Sequence, residues 1–216
     1  MRIGELSRQS GIVVPTIKYY LRTGLLPPGV PRARNQADYG PGHLRRLNVV
    51  DALLRVGGMS VPGVLAVLAA VDDTATSPAD LITAVEEAFS GRHPRGVDER
   101  YAAAGARVGA TLDRQGWHPP GTALRERLTE VCAVADVLDL AELWPVLDRY
   151  AATATEAAGD DLAVLWAYAT RKQLDRNPAD PALREAVVVV AVLGAVVQSV
   201  MTGIARHEAL RQLLAE

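Results

Sequence analysis

Proline, glycine and polar caps divide this chain at short intervals, and between the divisions apolar residues recur three and four apart. That spacing puts them on one face of a helix, so the chain is confined to helical stretches joined by tight breaks; alternating strand patterns are almost absent. Residues 3–9 read as a first helix with Ile3 and Leu6 on one face, stopped near Gly11. Pro15 suits the first turn of a second, because its missing N–H is not needed there. That helix is expected to reach Thr23, with Ile17 and Leu21 inward and Gly24 as left-handed terminator. Two short helices joined by a glycine-containing turn make a helix-turn-helix pattern. Four prolines and three glycines between Pro27 and Gly42 forbid a helix there and predict an irregular arm or a short hairpin.

A third helix begins near Pro41, carries Leu44, Leu47, Val50, Leu53 and Leu54, and ends at Gly57-Gly58. Ser60 caps a fourth over 61–71, with Val64, Leu65 and Leu68 on its buried side. Beyond a polar break at 72–76, Ser77-Pro78-Ala79-Asp80 opens a helix to about Ser90, and Asp98 caps one ending at Gly116. Further helices are expected at 122–138, 140–158, 160–176 and from Pro181 to Leu214. The fold class is thus all-α apart from the arm. We divide it into a helix-turn-helix head at 1–71, a helical connecting region at 72–121 and a helical domain at 122–216.

Charge splits along the same line. Residues 1–70 carry nine basic against three acidic residues, a net of +6, whereas 71–216 carry fourteen against twenty-two, a net of −8. A basic module followed by an acidic one suggests that the first meets a polyanion and the second does something else, unless the clustering is chance. Cys132 is the single cysteine, which excludes a disulfide framework, a zinc ribbon and a cysteine-ligated cluster, and fits a reducing cytoplasm. As a lone thiol in an apolar stretch it reads as a buried small hydrophobe. His43, His93, His118 and His207 are scattered, so no metal or cofactor is expected. A glycine-rich phosphate loop, Gly-x-Ser-x-Gly and His-Glu-x-x-His are all missing, so nothing points to an enzyme.

Ala186 to Val197 is a run of twelve apolar residues, continuing with interruptions to Ala205. It is short of a clean membrane span and lacks flanking aromatic or basic belts. It reads instead as a buried bundle centre or a subunit interface, where Gly194 and Gly203 allow close approach of another helix. The polar N-terminus has no signal-peptide core, so a cytoplasmic protein without a membrane partner is expected.

The first seventy residues are more specific. Ile3-Gly4-Glu5-Leu6-Ser7, Gly11, Thr16-Ile17-Lys18-Tyr19-Tyr20 and Gly24-Leu25-Leu26-Pro27 are followed by Asn35-Gln36-Ala37-Asp38-Tyr39 in the arm. His43-Leu44-Arg45-Arg46-Leu47 and Gly57-Gly58-Met59-Ser60 complete the string. In register and over a third of the chain, it closely resembles the opening of the MerR family of transcription regulators. The resemblance implies a winged helix-turn-helix on each subunit of a homodimer bound to a pseudo-palindromic promoter element. There the dimer would bend and untwist an overlong spacer so that RNA polymerase engages both promoter elements. Bending costs roughly 1–6 kcal/mol, repaid by the added contacts. Double-stranded promoter DNA, a second copy and RNA polymerase are the partners so implied, with a small-molecule effector left open.

Lys18 and Arg22, four apart and offset from the Ile17/Leu21 stripe, suit phosphate neutralisation or a guanine edge. Thr16 offers a hydroxyl and a methyl at the helix N-terminus, where base edges are usually read. Tyr19 and Tyr20 point apart by about 100°, so one packs inward, and the resemblance makes Tyr19 the DNA-facing one. Alternatively both tyrosines are core and Lys18 and Arg22 a solvated face. In the arm Arg32, Arg34, Asn35 and Tyr39 would follow the backbone or enter a minor groove. Of the family's usual Gly-Tyr-Arg-x-Tyr wing run only the last tyrosine remains. His43 would contact phosphate or serve as a neutral cap, and Arg46 is expected to pair within the fold.

The family's long dimerisation helix has no counterpart directly after the head, since the helix from Ser77 is too short. The apolar helix over 183–205 is therefore the expected dimer contact. The acidic helical part resembles TetR-type effector domains in architecture alone. Trp144, Tyr150, Trp166 and Tyr168, on neighbouring predicted helices, either line an apolar effector cavity or fill the core of a chain with a single Phe. Two other functions fit: a DNA-binding scaffold whose helical part holds a protein partner, and a membrane-tethered regulator.

Overall fold

The structure, a computed structural model, describes residues 1–33, 36–90, 99–118, 123–175 and 177–214. Helix α1 (Ile3–Ser10) ends at Gly11 and α2 (Val14–Thr23) at Gly24, whose φ angles of 71° and 81° are left-handed. Only glycine takes that conformation without a Cβ penalty, which fixes both stops. The arm is a hairpin. Strand β1 (Val30–Ala33) pairs antiparallel with β2 (Gln36–Asp38), Val30 opposite Asp38 and Pro31 opposite Ala37. Its base is tied to the chain start by two bonds of 2.8 Å, from the Met1 ammonium to the Tyr39 carbonyl and from the Tyr39 amide to the Met1 carbonyl. Helix α3 (Pro41–Asp51) continues into one π-helical turn at Ala52–Val56, and α4 (Val61–Asp72) starts where the Ser60 hydroxyl accepts from the Gly63 amide.

Leu6, Ile17, Leu26, Leu47, Val50 and Leu53 fill the centre of this head. The core does not stop there. Helix α5 (Pro78–Ser90) adds Leu81 and Val85, and α9 (Pro181–Leu213) adds Leu183, Val187, Val188 and Val192. Helix α9 packs against α3, the π turn, α4 and α5. At the π turn it meets Gly57, where a Cβ would lie 2.8 Å from the Leu53 carbonyl oxygen and 3.0 Å from Val192 Cγ1. By length and composition alone α9 could cross a membrane, but its first third is core in this fold.

A charged residue sits inside that contact. Arg184 is 1% exposed. Its Nε donates to the Val71 carbonyl (2.8 Å), Nη1 to Thr76 (2.6 Å) and Pro178 (3.2 Å), and Nη2 to Ala70 and Asp73 (2.6 Å each). All five donors of the guanidinium are used. Ala70 and Val71 lie in the last turn of α4, whose carbonyls have no partner within the helix and form the negative end of its dipole. One side chain thus caps α4, fixes the turn into α5 and holds the start of α9.

Helices α6 (Glu99–Arg114) and α7 (Ala123–Val137) pack on each other around a second cluster of Ala104, Val108, Cys132 and Leu147. Cys132 is buried there, and burial pushes its thiol pKa up. The expected cap Asp98 lies outside the described residues. The two helices expected at 140–158 and 160–176 are one, α8 (Leu143–Lys172), which runs through Gly159 without a break. It links the clusters, with Leu147 in the second and Leu165 and Ala169 in the first.

The expectation of a dimer contact over 183–205 needs correction for its first part. Residues Leu183 to Val188 and Val192 are covered by the chain's own head and cannot meet a second subunit. From Val197 onward the apolar side chains stand exposed, Val197 and Met201 each at 61% and Ile204 at 59%.

Candidate nucleic-acid interface

Helix α2 turns Ile17 and Tyr20 into the core and leaves Lys18, Tyr19 and Arg22 outside, with Thr16 half-buried. The adjacent tyrosines divide as their 100° offset requires: Tyr20 is 7% exposed and Tyr19 38%. Burial, with the nearby Asp51 carboxylate and Tyr19 adding to it, pushes the Tyr20 hydroxyl pKa up and keeps it neutral. The Arg22 guanidinium lies 5.7 Å from the centroid of the Tyr19 ring, so the exposed face is a cation-bordered aromatic. At the other end of α2, Val13 supplies no side-chain cap, Pro15 has no N–H, and the Thr16 amide donates to the Val13 carbonyl at 2.9 Å.

The positive charge is narrower than its count suggests. Arg45 bonds Glu185 at 3.2 Å, Arg46 pairs with Asp72, Arg55 with Asp51 at 2.8 Å, and Arg32 with Asp38 at 3.5 Å. Among the described residues, Arg2, Arg8, Lys18 and Arg22 are the basic side chains of the head that form no ion pair. All four belong to α1, α2 and the residue preceding α1, two helices packed on each other. Arg2 and Arg8 were not singled out by the sequence. The signal that identifies them is subtraction of the paired arginines, which requires the tertiary structure.

Two expected interface residues have other work. The Tyr39 ring is 8% exposed, packed in the core and edge-on to His43 at 5.2 Å. Gly29 makes room for it: a Cβ at that position would lie 2.9 Å from the ring. Tyr39 therefore seats the hairpin instead of following DNA from its surface. His43 is the third residue of α3; its Nδ1 accepts from the Gly40 amide at 3.1 Å, and its Nε2 lies 3.4 Å from the Pro28 carbonyl. With Nδ1 accepting from the Gly40 amide and Nε2 in reach of the Pro28 carbonyl, both ring nitrogens are engaged and His43 caps α3. Arg34 and Asn35 lie outside the described residues.

The four aromatic residues assigned to an effector cavity do not converge. On one continuous helix Trp144 and Trp166 stand about 33 Å apart at 1.5 Å per residue. Trp144 is bound into a cluster of its own, its Nε1 donating to Asp136 at 2.7 Å and the Arg107 guanidinium 3.4 Å from its ring centroid. Tyr150 and Trp166 are exposed, and Tyr168 borders a groove shared with α3 and α9.

Residues 1–71 match the family described as MerR HTH family regulatory protein. An HTH-type transcriptional regulator ZntR homolog of Haemophilus influenzae is 40% identical over 50 residues, which are 23% of this chain and 37% of that protein. The match thus spans little more than a third of the curated relative's length. The crystal structure of SCO5550, a candidate transcriptional regulator of Streptomyces coelicolor A3(2), superposes with a TM-score of 0.69. It is 29% identical, over 97% of this chain and 95% of that one.

Proposed function

Starting from residues 1–71 as a MerR-family helix-turn-helix domain, we propose that the whole chain is a cytoplasmic DNA-binding transcription regulator acting as a homodimer. The observation that carries this is the concentration of unpaired positive charge on α1 and α2, with Thr16, Lys18, Tyr19 and Arg22 on the α2 surface. Phosphates are neutralised by Arg2, Arg8, Lys18 and Arg22, and base edges are read from the start of α2. The hairpin enters the neighbouring groove as a wing.

Dimerisation uses the exposed row of α9, Val197, Val200, Met201 and Ile204, which in a single subunit leaves a long apolar face in water. Two heads held by such a seam meet successive grooves of a pseudo-palindromic promoter, and the dimer distorts the spacer for RNA polymerase. A small-molecule effector acts through the tail, whose α9 is continuous with the core of the head. A mobility shift of the full chain on DNA from its own upstream region tests the reading: retention of a specific band against a hundredfold excess of unrelated DNA supports it, and equal competition by both DNAs refutes it.

A second reading has one observation in its favour. Val131, Val134 and Val137 stand exposed along α7, with Leu138 exposed in the turn after it, away from the α9 row in sequence, and would suit a protein partner. A scaffold of that kind would retain a defined protein on an affinity column regardless of any small molecule.

A further inference from the structure

We propose that the groove between α3, α8 and α9 binds an elongated apolar molecule ending in a carboxylate. This deepens the effector reading above, and its regulatory consequence rests on that reading. The groove encloses about 760 Å³, within the roughly 300–1,000 Å³ common for small-molecule sites. Its walls are apolar and come from three helices: Val49 of α3, Val164 and Ala167 of α8, and Val189, Val190 and Leu193 of α9. Along α9 the lining runs from Ala182 to Leu193, a stretch about 16 Å long. An extended chain lies along such a track more readily than a compact polar molecule.

The polar groups are one-sided. Arg45 and Asn48 come from α3, and Arg171 and Lys172 from the end of α8. Glu185 is the one acid among the lining residues, and its carboxylate is already bonded by Arg45 Nε at 3.2 Å. Among the described residues neither Arg171 nor Lys172 pairs with a carboxylate. Arg171 is placed 5.8 Å from the Tyr168 ring centroid, which restricts the guanidinium before any ligand arrives. Three cations against one committed carboxylate leave a site that an anion completes and a cation does not. The planar fork of Arg171 favours a carboxylate, and Lys172 adds a point charge. Because α3 belongs to the DNA-binding head and α8 to the tail, a ligand in the groove touches both and can bias their arrangement.

The test is calorimetric titration of the full-length protein with decanoate, decan-1-ol and decyltrimethylammonium, all below their aggregation limits. The site predicts saturable binding of decanoate, at least tenfold tighter than either comparison compound. The double variant Arg171→Gln/Lys172→Gln should weaken decanoate at least tenfold. Ala167→Phe, at an exposed wall position, should block binding while leaving the circular dichroism spectrum unchanged. Equal binding of the ammonium compound, unaltered affinity in the double variant, or no saturable binding would each overturn the site. A change in molecular mass caused by Ala167→Phe, without decanoate binding to the parent, would also overturn it and make the groove an interface between copies. Promoter affinity with and without decanoate is read separately: binding that leaves it unchanged keeps the site and refutes only its role in regulation.

Discussion

Arg184 offers the sharpest test of how the tail is joined to the head. Replacing it with methionine keeps much of the volume and removes five hydrogen bonds to the carbonyls of Ala70, Val71, Asp73, Thr76 and Pro178. Each buried carbonyl left without a partner costs about 1–3 kcal/mol, and bonds from a charged donor lie at the upper end. Against this, the folded state no longer desolvates a guanidinium, which returns several kcal/mol. Some of the carbonyls at the exposed turn 72–76 also regain water. The balance is a loss of about 3–5 kcal/mol, large beside the roughly 5–15 kcal/mol that holds a domain together. Arg184→Lys retains the charge but offers three donors from a single nitrogen, so it should lose about half as much. Urea unfolding of both variants, followed by circular dichroism, measures this. A loss below about 1 kcal/mol for the methionine variant would refute the claim that Arg184 holds α4, α5 and α9 together.

Other consequences are as direct. Lys18→Ala and Arg22→Ala should each weaken DNA binding across all sequences and lower the slope of log affinity against log salt by about one, read by fluorescence anisotropy; an unchanged slope would remove that residue from the phosphate contacts. Gly57→Ala places a Cβ against the Leu53 carbonyl and Val192, and should cost about 1–3 kcal/mol in thermal or urea unfolding. Ile204→Glu buries an unpaired carboxylate in the proposed α9 seam and should weaken the dimer by about a hundredfold, visible as a mass shift in light scattering; an unchanged mass at micromolar concentration would move the interface elsewhere. Burial pushes the Glu185 carboxyl above its ordinary 4.5, although Arg45 and Arg46 pull it down. The folded chain then holds this proton more tightly than the unfolded chain, so the group costs stability above its raised pKa and nothing below 4.5. Glu185→Gln should be neutral or stabilising at about pH 7 and should flatten the pH dependence of stability above pH 4.5. A variant destabilised only at high pH would contradict this.

What the sequence announced was local. Gly11, Gly24, Ser60 and Asp180 act through their own backbone geometry or caps, so the ends of α1, α2, α4 and α9 could be placed to within a residue or two. The split of Tyr19 and Tyr20 follows from helical rotation alone. The misreadings share a cause: they depend on what a residue meets from elsewhere. Gly159-Asp160-Asp161 looks like a break, yet glycine costs only about 1 kcal/mol within a helix, and packing of Leu147 and Leu165 on two separate clusters carries α8 across it. Merging those helices separated the four aromatics.

The apolar run of α9 was visible, but that its first third fills the head was not, because no periodicity names a partner. Arg184 stands just before that run and looks like a solvated charge. Its acceptors are backbone carbonyls, several more than a hundred residues away, which no side-chain pattern advertises. Likewise the nine basic residues of the head read as one patch until four ion pairs are removed from it.

The central claim is that two such heads, joined through their tails, read DNA together. Hydroxyl-radical footprinting of the full-length protein on its upstream DNA tests it most directly. The account predicts two protected blocks related by a dyad, with centres about one helical turn or a multiple of it apart, and both lost together in Ile204→Glu. A single protected block without a dyad, or a footprint that survives in the monomeric variant at equal protein concentration, would contradict it.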